Sequence, residues 1–515
     1  MKRWCLVHRI GPPALALAAG ALFPLGFAPF DYVFVAPLSL GVLFMLWLSA
    51  GVLGAALLGF CFGIGLFGVG VSWVYISLHS FGGMPPQLAA FLVVGFILIM
   101  SVYPAAAGVI QAAGRRRSPA LRMLVLMPAC WVLCEWLRGV VLSGFPWLYL
   151  GYGTIDTPLA VLAPFGGVLA GSWAAAIGGT ALVMLVTGPG HDRLAGLAAI
   201  LGGVLLVLVL GRSEWVTPAG QPIRVTVIQN NVPLNEKWSP NAVKSIVGEY
   251  LAASRDAPAA DLLIWPEAAL PLYLDEIHND DLMQLRRFPA DVLLGVLERR
   301  QIKDKIVQYN SALGLGDRDM LYIQYNSALG LGDRDMLYRK QQLVPFGEYL
   351  PFRGLFGWVL NYLQIPMSDF TAWPDIQLPM PLAGQKVAVS ICYEDAFPAV
   401  IRRSLPAATV LVNLSEDAWF GNSLAPHQRL QMARMRALES ARPLIRASNN
   451  GLSALILADG RVLKSAPQFQ QHVLHGLVDP MTGETPFVRF GSLPVLVFAL
   501  LVVVLASAPW TRRMR

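Results

Sequence analysis

The sequence predicts a polytopic α-helical membrane domain of about eight spans joined to a polar α/β domain. Three observations support this prediction. Only 14% of the 515 residues are charged, whereas soluble domains average about 25%. No charged residue occurs from Tyr32 to Gly114, while residues 212–488 hold most of the Lys, Arg, Asp and Glu. Within that polar region, short β-branched runs alternate with helical stretches.

The apolar part divides into eight stretches, and a helix needs about 20 mostly apolar residues to cross a bilayer. The stretches lie at residues 11–28, 32–50, 52–76, 88–113, 119–137, 158–187, 194–211 and 491–508. We therefore expect a membrane domain over residues 1–211, a polar domain over 212–487, and a C-terminal span with its tail over 488–515. The polar part has no cluster of basic residues, so we expect no nucleic-acid partner.

The positions of the basic residues predict the orientation of the chain. Lys and Arg precede the first span and follow the fourth, sixth and eighth, as Lys2, Arg3, Arg9, Arg115, Arg116, Arg117, Arg193, Arg512, Arg513 and Arg515. Because cytoplasmic loops are enriched in Lys and Arg, both termini are expected in the cytoplasm and the polar domain outside it. Arg138 is the clearest exception. The first span lacks a clear cleavage site, so we interpret it as an uncleaved anchor.

Glu135 is the only ionisable residue well inside a predicted span, near the end of the fifth. A carboxylate in a membrane can be a proton relay or a substrate contact. An interfacial position close to Arg138 is the simpler interpretation, and we favour it. A transporter would carry more buried charge, so the membrane domain is expected to be a platform rather than a pathway.

From Ile223 the sequence changes to short runs rich in β-branched residues, which indicate strands. The predicted strands are Ile223–Ile228, Asp261–Trp265, Asp291–Val296, Lys386–Ile391, Thr409–Asn413 and Ser453–Leu457. Helices are predicted over Pro240–Ser254 and His427–Ala441. Strands that alternate with helices over about 250 residues predict an α/β domain.

A block of this domain is duplicated in tandem, because Gln308–Tyr322 reappears unchanged as Gln324–Tyr338. Repeat folds need at least three copies, so a recent local duplication or a sequence artefact is the better explanation. Only the second copy leads directly into Lys340, and we expect it to form the strand that positions this lysine, although either copy could fill that strand with the same residues facing the core. The other copy would then leave the sheet as a loop or hairpin.

Three polar residues directly follow predicted strands or the duplicated block, and together they could supply a nucleophile, a base and a cation. Cys392, the only cysteine of the polar domain, follows Lys386–Ile391, Glu267 follows Asp261–Trp265, and Lys340 follows the second copy. A thiol nucleophile needs a base that ionises it and donors that stabilise an oxyanion. Taken singly, Cys392 would more often be a small buried hydrophobe, and the other two would be solvated. The scattered histidines predict no metal site.

The segments around these residues resemble the nitrilase superfamily, whose Glu-Lys-Cys triad lies in such segments. The matching stretches are Trp265–Glu267, Tyr338–Lys340, Leu343–Tyr349, Ile391–Asp395 and Asp417–Gly421. Together with the membrane spans, they make nearly the whole chain similar to the apolipoprotein N-acyltransferase family. The resemblance implies a nitrilase-like αββα sandwich in the periplasm, attached to the inner membrane of a bacterium.

The resemblance also implies a mechanism. Glu267 would take the proton of Cys392, which attacks the sn-1 ester of a phospholipid to form a thioester. Lys340, with the backbone N–H of Tyr393, would stabilise the oxyanion. The α-amino group of the S-diacylglyceryl-cysteine of an apolipoprotein would then accept the acyl chain, which is the last step of bacterial lipoprotein maturation. This ping-pong reaction needs no metal or organic cofactor, and we expect a monomeric enzyme.

Further residues match supporting positions of the family. Glu348 and Glu394 resemble carboxylates near the Lys and the Cys, with solvation at a strand edge as the alternative. Trp238 matches a loop tryptophan near the substrate site, with loop packing as the alternative. The apolar segment Gly354–Leu363 predicts a lid that dips into the bilayer, and a buried helix is its alternative.

Two other functions are open at this point. A membrane-tethered nitrilase-like amidase would use the same triad on a small amide, but it would need neither eight spans nor an apolar lid. A transporter or receptor with a soluble ectodomain is disfavoured by the near-absence of charge inside the spans and by the presence of all three triad residues.

Overall fold

The computed structural model describes residues 11–211, 213–239, 241–302, 305–316, 335–349 and 369–508. The chain forms two compact units. One, the helical unit, contains the residues up to Tyr75, Pro85–Glu214, and the residues from Phe490 onward. The other, the sandwich unit, contains Ile76–Met84 and Trp215–Arg489.

The helical unit is built of apolar helices. They are α1 (Pro12–Leu22), α2 (Val35–Ser49), α3 (Val52–Gly70), α4 (Pro86–Gln111), α5 (Met127–Val140), α6 (Ala163–Thr187), α7 (Gly190–Leu210) and a C-terminal helix (Leu493–Ser507). Among the described residues, α3 to α7 with their continuing turns are 19 to 30 residues long and apolar enough to cross a membrane. The other three helices are apolar but shorter. The apolar helical region is confirmed, while the number of spans and their orientation stay predictions.

Glycines let these helices approach closely. A methyl group added to Gly59 of α3 would lie 2.3 Å from the carbonyl oxygen of Pro104 in α4. At Gly63, one turn further, an added Cβ would lie 2.7 Å from the Cα of Ser101. Larger residues would force the two helices apart, and small residues at contacts are how helices pack in lipid.

The helical unit buries both Glu135 and Arg138, and the interfacial position of Glu135 in the membrane stays a prediction. The Glu135 carboxylate accepts hydrogen bonds from the Trp131 indole (2.9 Å) and from the Leu150 backbone N–H (2.8 Å). Arg138 donates to the carbonyl of Phe145 at 2.9 Å. Both side chains bond to backbone groups of the segment after α5, and these hydrogen bonds offset the cost of burying them.

The sandwich unit is built mainly of strands. They are β1 (Val216–Pro218), β2 (Ile223–Gln229), β3 (Leu262–Ile264), β4 (Asp291–Ile302), β5 (Lys305–Leu315), β6 (Asp335–Arg339), β7 (Met380–Leu382), β8 (Gln385–Ile391), β9 (Val410–Ser415), β10 (Leu444–Ser448), β11 (Ala454–Ile456), β12 (Val462–Ser465), β13 (His472–Val478) and β14 (Met481–Gly483). Within the described residues, one six-stranded sheet has the order β13-β2-β3-β4-β5-β6 and the other β12-β11-β10-β9-β8-β7, while β1 pairs with β14.

Four layers result from the alternation of side chains along the strands. Leu262 and Ile264 of β3 belong to the apolar core that residues of both sheets share, whereas Leu263 belongs to a second core on the outer face. Helix α8 (Val243–Asp256) packs on that outer face, and α9 (Ala425–Ser440) packs on the outer face of the other sheet. Strands with apolar side chains on both faces need cover on both sides. The predicted αββα sandwich is confirmed.

The predicted elements fall on observed ones. The six strands coincide with β2, β3, β4, β8, β9 and β11, and the two helices coincide with α8 and α9. Strand β4 continues past the predicted end at Val296 to Ile302. Its polar continuation remains a strand because β4 pairs with β5 along its length, from Val292 to Ile302.

The duplicated block is divided between two strands. The first copy supplies residues 308–315 to β5, and the second copy supplies residues 335–338 to β6. The expectation that the second copy precedes Lys340 as a strand is confirmed, but the expectation that the other copy leaves the sheet is wrong. A single block contains the residues of both hairpin strands. The extra residues of the duplication therefore lie in the connection between Leu315 and Asp335, which pair with each other. Residues 317–334 of that connection lie outside the described residues.

Candidate active site

The three residues predicted to be catalytic follow strands of both sheets. Glu267 follows β3 and Lys340 follows β6, in one sheet, while Cys392 follows β8 in the other. Strands β3 and β6 run in the same direction, with β4 and β5 between them, so the ends that carry Glu267 and Lys340 lie at the same edge of this sheet. Lys340 Nζ lies 3.7 Å from Glu267 Oε1. Glu394 accepts hydrogen bonds from the backbone N–H groups of Gln341 and Ile391, the neighbours of Lys340 and Cys392, so the three residues share one site.

Glu267 is a buried carboxylate with fixed hydrogen bonds. Its Oε1 accepts from Asn310 Nδ2 at 2.8 Å, and its Oε2 accepts from the Glu416 backbone N–H at 2.7 Å. Lys340 Nζ lies 3.7 Å from Oε1. Burial raises the pKa of Glu267, and the Lys340 ammonium opposes the rise. A carboxylate with a raised pKa can accept a proton more readily than an exposed glutamate.

Lys340 is held as a buried cation. Its side chain is 1% exposed, and Nζ donates to Glu348 Oε1 at 2.8 Å. Its backbone N–H donates to the Asn310 carbonyl at 2.9 Å, across the β5–β6 hairpin. Burial lowers the pKa of this lysine, but the carboxylates of Glu348 and Glu267 outweigh burial and raise it. We call Glu267, Lys340 and Glu348 the lysine cluster.

Cys392 lies at the exit of β8, in a strained backbone conformation. Its φ of +50° is in the left-handed region, which non-glycine residues seldom adopt. The turn Cys392–Ala396 begins at once, so the sulfur lies at the strand end. The pKa of the thiol is raised to about 12, chiefly by burial and then by Glu267, while Arg429 and Lys340 lower it. The resting thiol is therefore protonated and needs a base.

Glu394 braces the loops around the site. Its Oε2 accepts from the Ile391 backbone N–H (2.7 Å) and from the Tyr338 hydroxyl (2.9 Å), and its Oε1 accepts from the N–H groups of Gln341 (2.6 Å) and Gln342 (3.1 Å). Burial raises the pKa of Glu394 to about 6, against the lowering effect of the backbone N–H groups. This residue ties the turn after β6 to the end of β8.

Tyr393 and Trp238, the two aromatic residues predicted to lie near the site, both make packing contacts. The Tyr393 ring lies edge-on to Phe397, with the centroids 4.9 Å apart. Trp238 packs against the apolar group that contains Ala268, the residue after Glu267. The predicted lid, Gly354–Leu363, lies outside the described residues.

Sequence reasoning missed several residues that hold Glu267. Lys237, adjacent to Trp238, is buried, donates to the Glu267 carbonyl at 3.1 Å and pairs with Glu416. Asn310 bridges Glu267 and Glu348, with its Nδ2 2.8 and 3.2 Å from their carboxylate oxygens. Glu416 follows the apolar strand β9, which is the signal that identified Glu267 and Cys392. Asn310 lies within a strand and gave no such signal.

A second group of buried charges lies beside Cys392. It contains Asp395, Asp417, Arg429 and Arg446, and we call it the arginine cluster. Arg446 Nη1 donates to Asp395 at 2.6 Å, and Arg446 Nη2 donates to Asp417 at 3.0 Å. Arg429 makes the matching pairs, at 3.1 Å to Asp395 and 2.8 Å to Asp417. Burial raises the pKa of Asp417, but the two guanidinium groups outweigh it and lower that pKa.

Both units of the chain are similar to known proteins. Residues 19–181 match the apolipoprotein N-acyltransferase N-terminal domain, and residues 224–487 match the carbon-nitrogen hydrolase family. The apolipoprotein N-acyltransferase of Methylococcus capsulatus is 41% identical over 489 residues, which are 94% of this chain and 93% of that protein. The one of Nitrosomonas europaea is 38% identical over 506 residues, 96% of each chain.

Among solved structures, a carbon-nitrogen hydrolase from Helicobacter pylori G27 matches with a TM-score of 0.35 and 16% identity, over 57% of this chain and 96% of that chain. The sequence relatives match over nearly their whole length and cover both units of this chain. The chain therefore belongs to the apolipoprotein N-acyltransferase family.

Proposed function

We propose that this protein transfers an acyl chain from the sn-1 position of a phospholipid to the N-terminal α-amino group of a diacylated apolipoprotein, through a thioester on Cys392. The observation that carries the proposal is the match of both units to relatives named apolipoprotein N-acyltransferase. The buried pair of Glu267 and Lys340 beside a strained thiol supports the chemistry.

In the first half-reaction, Cys392 becomes acylated. The Glu267 carboxylate takes the thiol proton, and the sulfur attacks the ester carbonyl carbon. Lys340, together with the Tyr393 backbone N–H, stabilises the negative charge on the carbonyl oxygen. The ester C–O bond then breaks, and Glu267 returns the proton to the lysophospholipid that leaves.

In the second half-reaction, the amine of the apolipoprotein attacks the thioester. Glu267 takes a proton from the attacking nitrogen, and the C–S bond breaks with its electron pair on the sulfur. Glu267 then gives this proton to the sulfur, which regenerates the Cys392 thiol and the Glu267 carboxylate, and the triacylated lipoprotein leaves. In this mechanism Glu348 fixes the Lys340 ammonium, Glu394 holds the loop that carries Lys340 next to the end of β8, and Trp238 lines the site.

We also propose the cellular arrangement of the enzyme. The apolar helices make it a membrane protein, and the family suggests the inner membrane of a bacterium. The basic clusters favour an orientation with both termini in the cytoplasm and the catalytic domain in the periplasm. The proposed limits are 1–211 for the membrane domain, 212–487 for the catalytic domain and 488–515 for the last span. We infer a monomer. A membrane-impermeant thiol reagent should label Cys392 in intact spheroplasts, and labelling only after lysis would reverse the topology.

One assay separates this function from that of a small-amide hydrolase with the same triad. Purified protein is incubated with phospholipid and a synthetic diacylated lipopeptide, and in parallel with small amides. Acyl transfer to the lipopeptide without ammonia release from the amides is the expected result. Ammonia release without transfer would favour the amidase.

A further inference from the structure

One guanidinium group contacts the proposed nucleophile directly. Arg429 of α9 is 1% exposed, and its Nη1 lies 3.4 Å from Cys392 Sγ in hydrogen-bonding geometry. The same Nη1 donates to Ser415 Oγ at 2.7 Å and to Asp417 Oδ1 at 2.8 Å. Nη2 is bound by Asp395. These contacts fix the guanidinium group in place against the sulfur.

We propose that Arg429 is a further catalytic residue, which stabilises the thiolate of Cys392 both when it attacks and when it leaves. The proposal rests on the proposed function, in that it takes Cys392 as the nucleophile. The mechanism gives Lys340 and the Tyr393 N–H to the carbonyl oxygen, and it names no partner for the charge on the sulfur. Arg429 fills that role.

The charged groups around the thiol support a role for Arg429 at the sulfur and for Lys340 at the carbonyl oxygen. The charged groups that act on Cys392 are Glu267 and Glu348, which raise its pKa, and Arg429 and Lys340, which lower it. Of the two cations, Arg429 has the larger effect. Lys340 is bound by Glu348 and lies near Glu267, so its charge is directed largely at carboxylates.

The chemistry uses the contact in both half-reactions. When Glu267 takes the thiol proton, the sulfur gains a negative charge, and the Arg429 N–H donates to it. When the amine displaces the acyl group, the C–S bond breaks and the electron pair returns to the sulfur. The same hydrogen bond then makes the thiolate a better leaving group. Arg429 itself stays protonated throughout, because a guanidinium group does not lose its proton in proteins.

The alternative is that Arg429 only balances the buried aspartates, and Arg446 provides the matched control. Both arginines pair with Asp395 and Asp417, but the sulfur contact belongs to Arg429. Two double variants with equal charge can therefore be compared. One carries Arg429→Met and Asp417→Asn, and the other carries Arg446→Met and Asp417→Asn. Each keeps one arginine and Asp395, and they differ in which arginine remains.

The test measures thiolate formation without lipid or acceptor, so it does not depend on acyl transfer. Full-length protein in detergent is alkylated with iodoacetamide from about pH 6 to 9, and peptide mass spectrometry follows the Cys392 peptide apart from the other cysteines. Because the thiolate is the reactive form and the thiol pKa lies above this range, the ratio of two variants' rates at one pH reports the difference between their thiol pKa values. We expect the variant without Arg429 to react about tenfold or more slowly than the variant without Arg446.

Equal rates for the two double variants would overturn the proposal. If either double variant does not fold, the single variants Arg429→Lys and Arg446→Lys, which keep every charge, are compared in the same way. Slower alkylation of Arg429→Lys alone supports the proposal, and equal rates again overturn it. Absence of acyl transfer by the unaltered protein would instead contradict the proposed function and would leave the alkylation result intact.

Discussion

The lysine cluster and the arginine cluster are both buried in the sandwich unit, but they differ in charge balance. In the lysine cluster two carboxylates share one cation, and the pKa of Glu267 is raised. In the arginine cluster two carboxylates face two guanidinium groups, and the pKa of Asp417 is lowered. The unbalanced cluster can change protonation and so can do chemistry. The balanced cluster keeps its charges and so can hold geometry.

The largest effect is expected at Cys392, on which both clusters act. Cys392→Ala should abolish acyl transfer and leave cells with diacylated lipoprotein precursors. Cys392→Ser should also be severely impaired, since a hydroxyl is harder to ionise and a poorer leaving group than a thiol. Lipopeptide acylation by purified protein and the lipoprotein pattern of cells are the measurements. Normal triacylation by a folded Cys392→Ala variant would contradict the mechanism.

Changing the unbalanced cluster should reduce the rate and leave the fold. Glu267→Gln cannot take the thiol proton, so acyl-enzyme formation in a single turnover should fall by about 10²–10⁴. Because burial raises the pKa of Glu267, the activity of the unaltered protein should be lost on acidification at a higher pH than an exposed glutamate would give. Glu276→Gln, at an exposed glutamate paired with Arg299, is the control. Unchanged acylation by Glu267→Gln would remove its role as the base.

Changing the balanced cluster should reduce stability. Asp395→Asn leaves two buried guanidinium groups with one carboxylate, and breaking a buried pair typically costs about 3–5 kcal/mol of unfolding free energy. The measurement is denaturant unfolding. Asp261→Asn, at a partly exposed pair with Arg224, is the control and should cost much less. A loss at Asp395 no larger than at Asp261 would show that the cluster is not a structural support.

The smallest effect is expected for removal of the duplication. Deleting Gln308–Ile323 leaves one intact block. Asn326 of the second copy then takes the place of Asn310 in the hairpin that positions Lys340. The observed register would leave Gly-Asp-Arg between the strands, a length common in hairpins. Fold and acyl transfer should be retained, with equal or better stability, as thermal unfolding and the lipopeptide assay would show. A well-folded but inactive deletion variant would mean that the extra residues serve the site.

These two clusters also show what the sequence could and could not predict. Glu267 and Cys392 are recognisable because a polar residue ends an apolar run, and that local pattern marks a strand exit. Asn310 reaches Glu267 through strand pairing, and Arg429 meets Cys392 from a helix 37 residues away, so neither contact has a local signal. Arg446 lies in a fully buried strand, where its charge is tolerated because Asp395 and Asp417 pair with it. The division of the duplicated block was hidden because its copies are identical.

The most direct test of the central claim is mass spectrometry of the intact protein after incubation with phospholipid alone. The mechanism predicts one added acyl chain, located on Cys392 by peptide analysis and sensitive to hydroxylamine as a thioester is. Addition of the diacylated lipopeptide should remove the adduct and yield triacylated product. Transfer to the lipopeptide by a protein that never carries an acyl group on Cys392 would contradict the account.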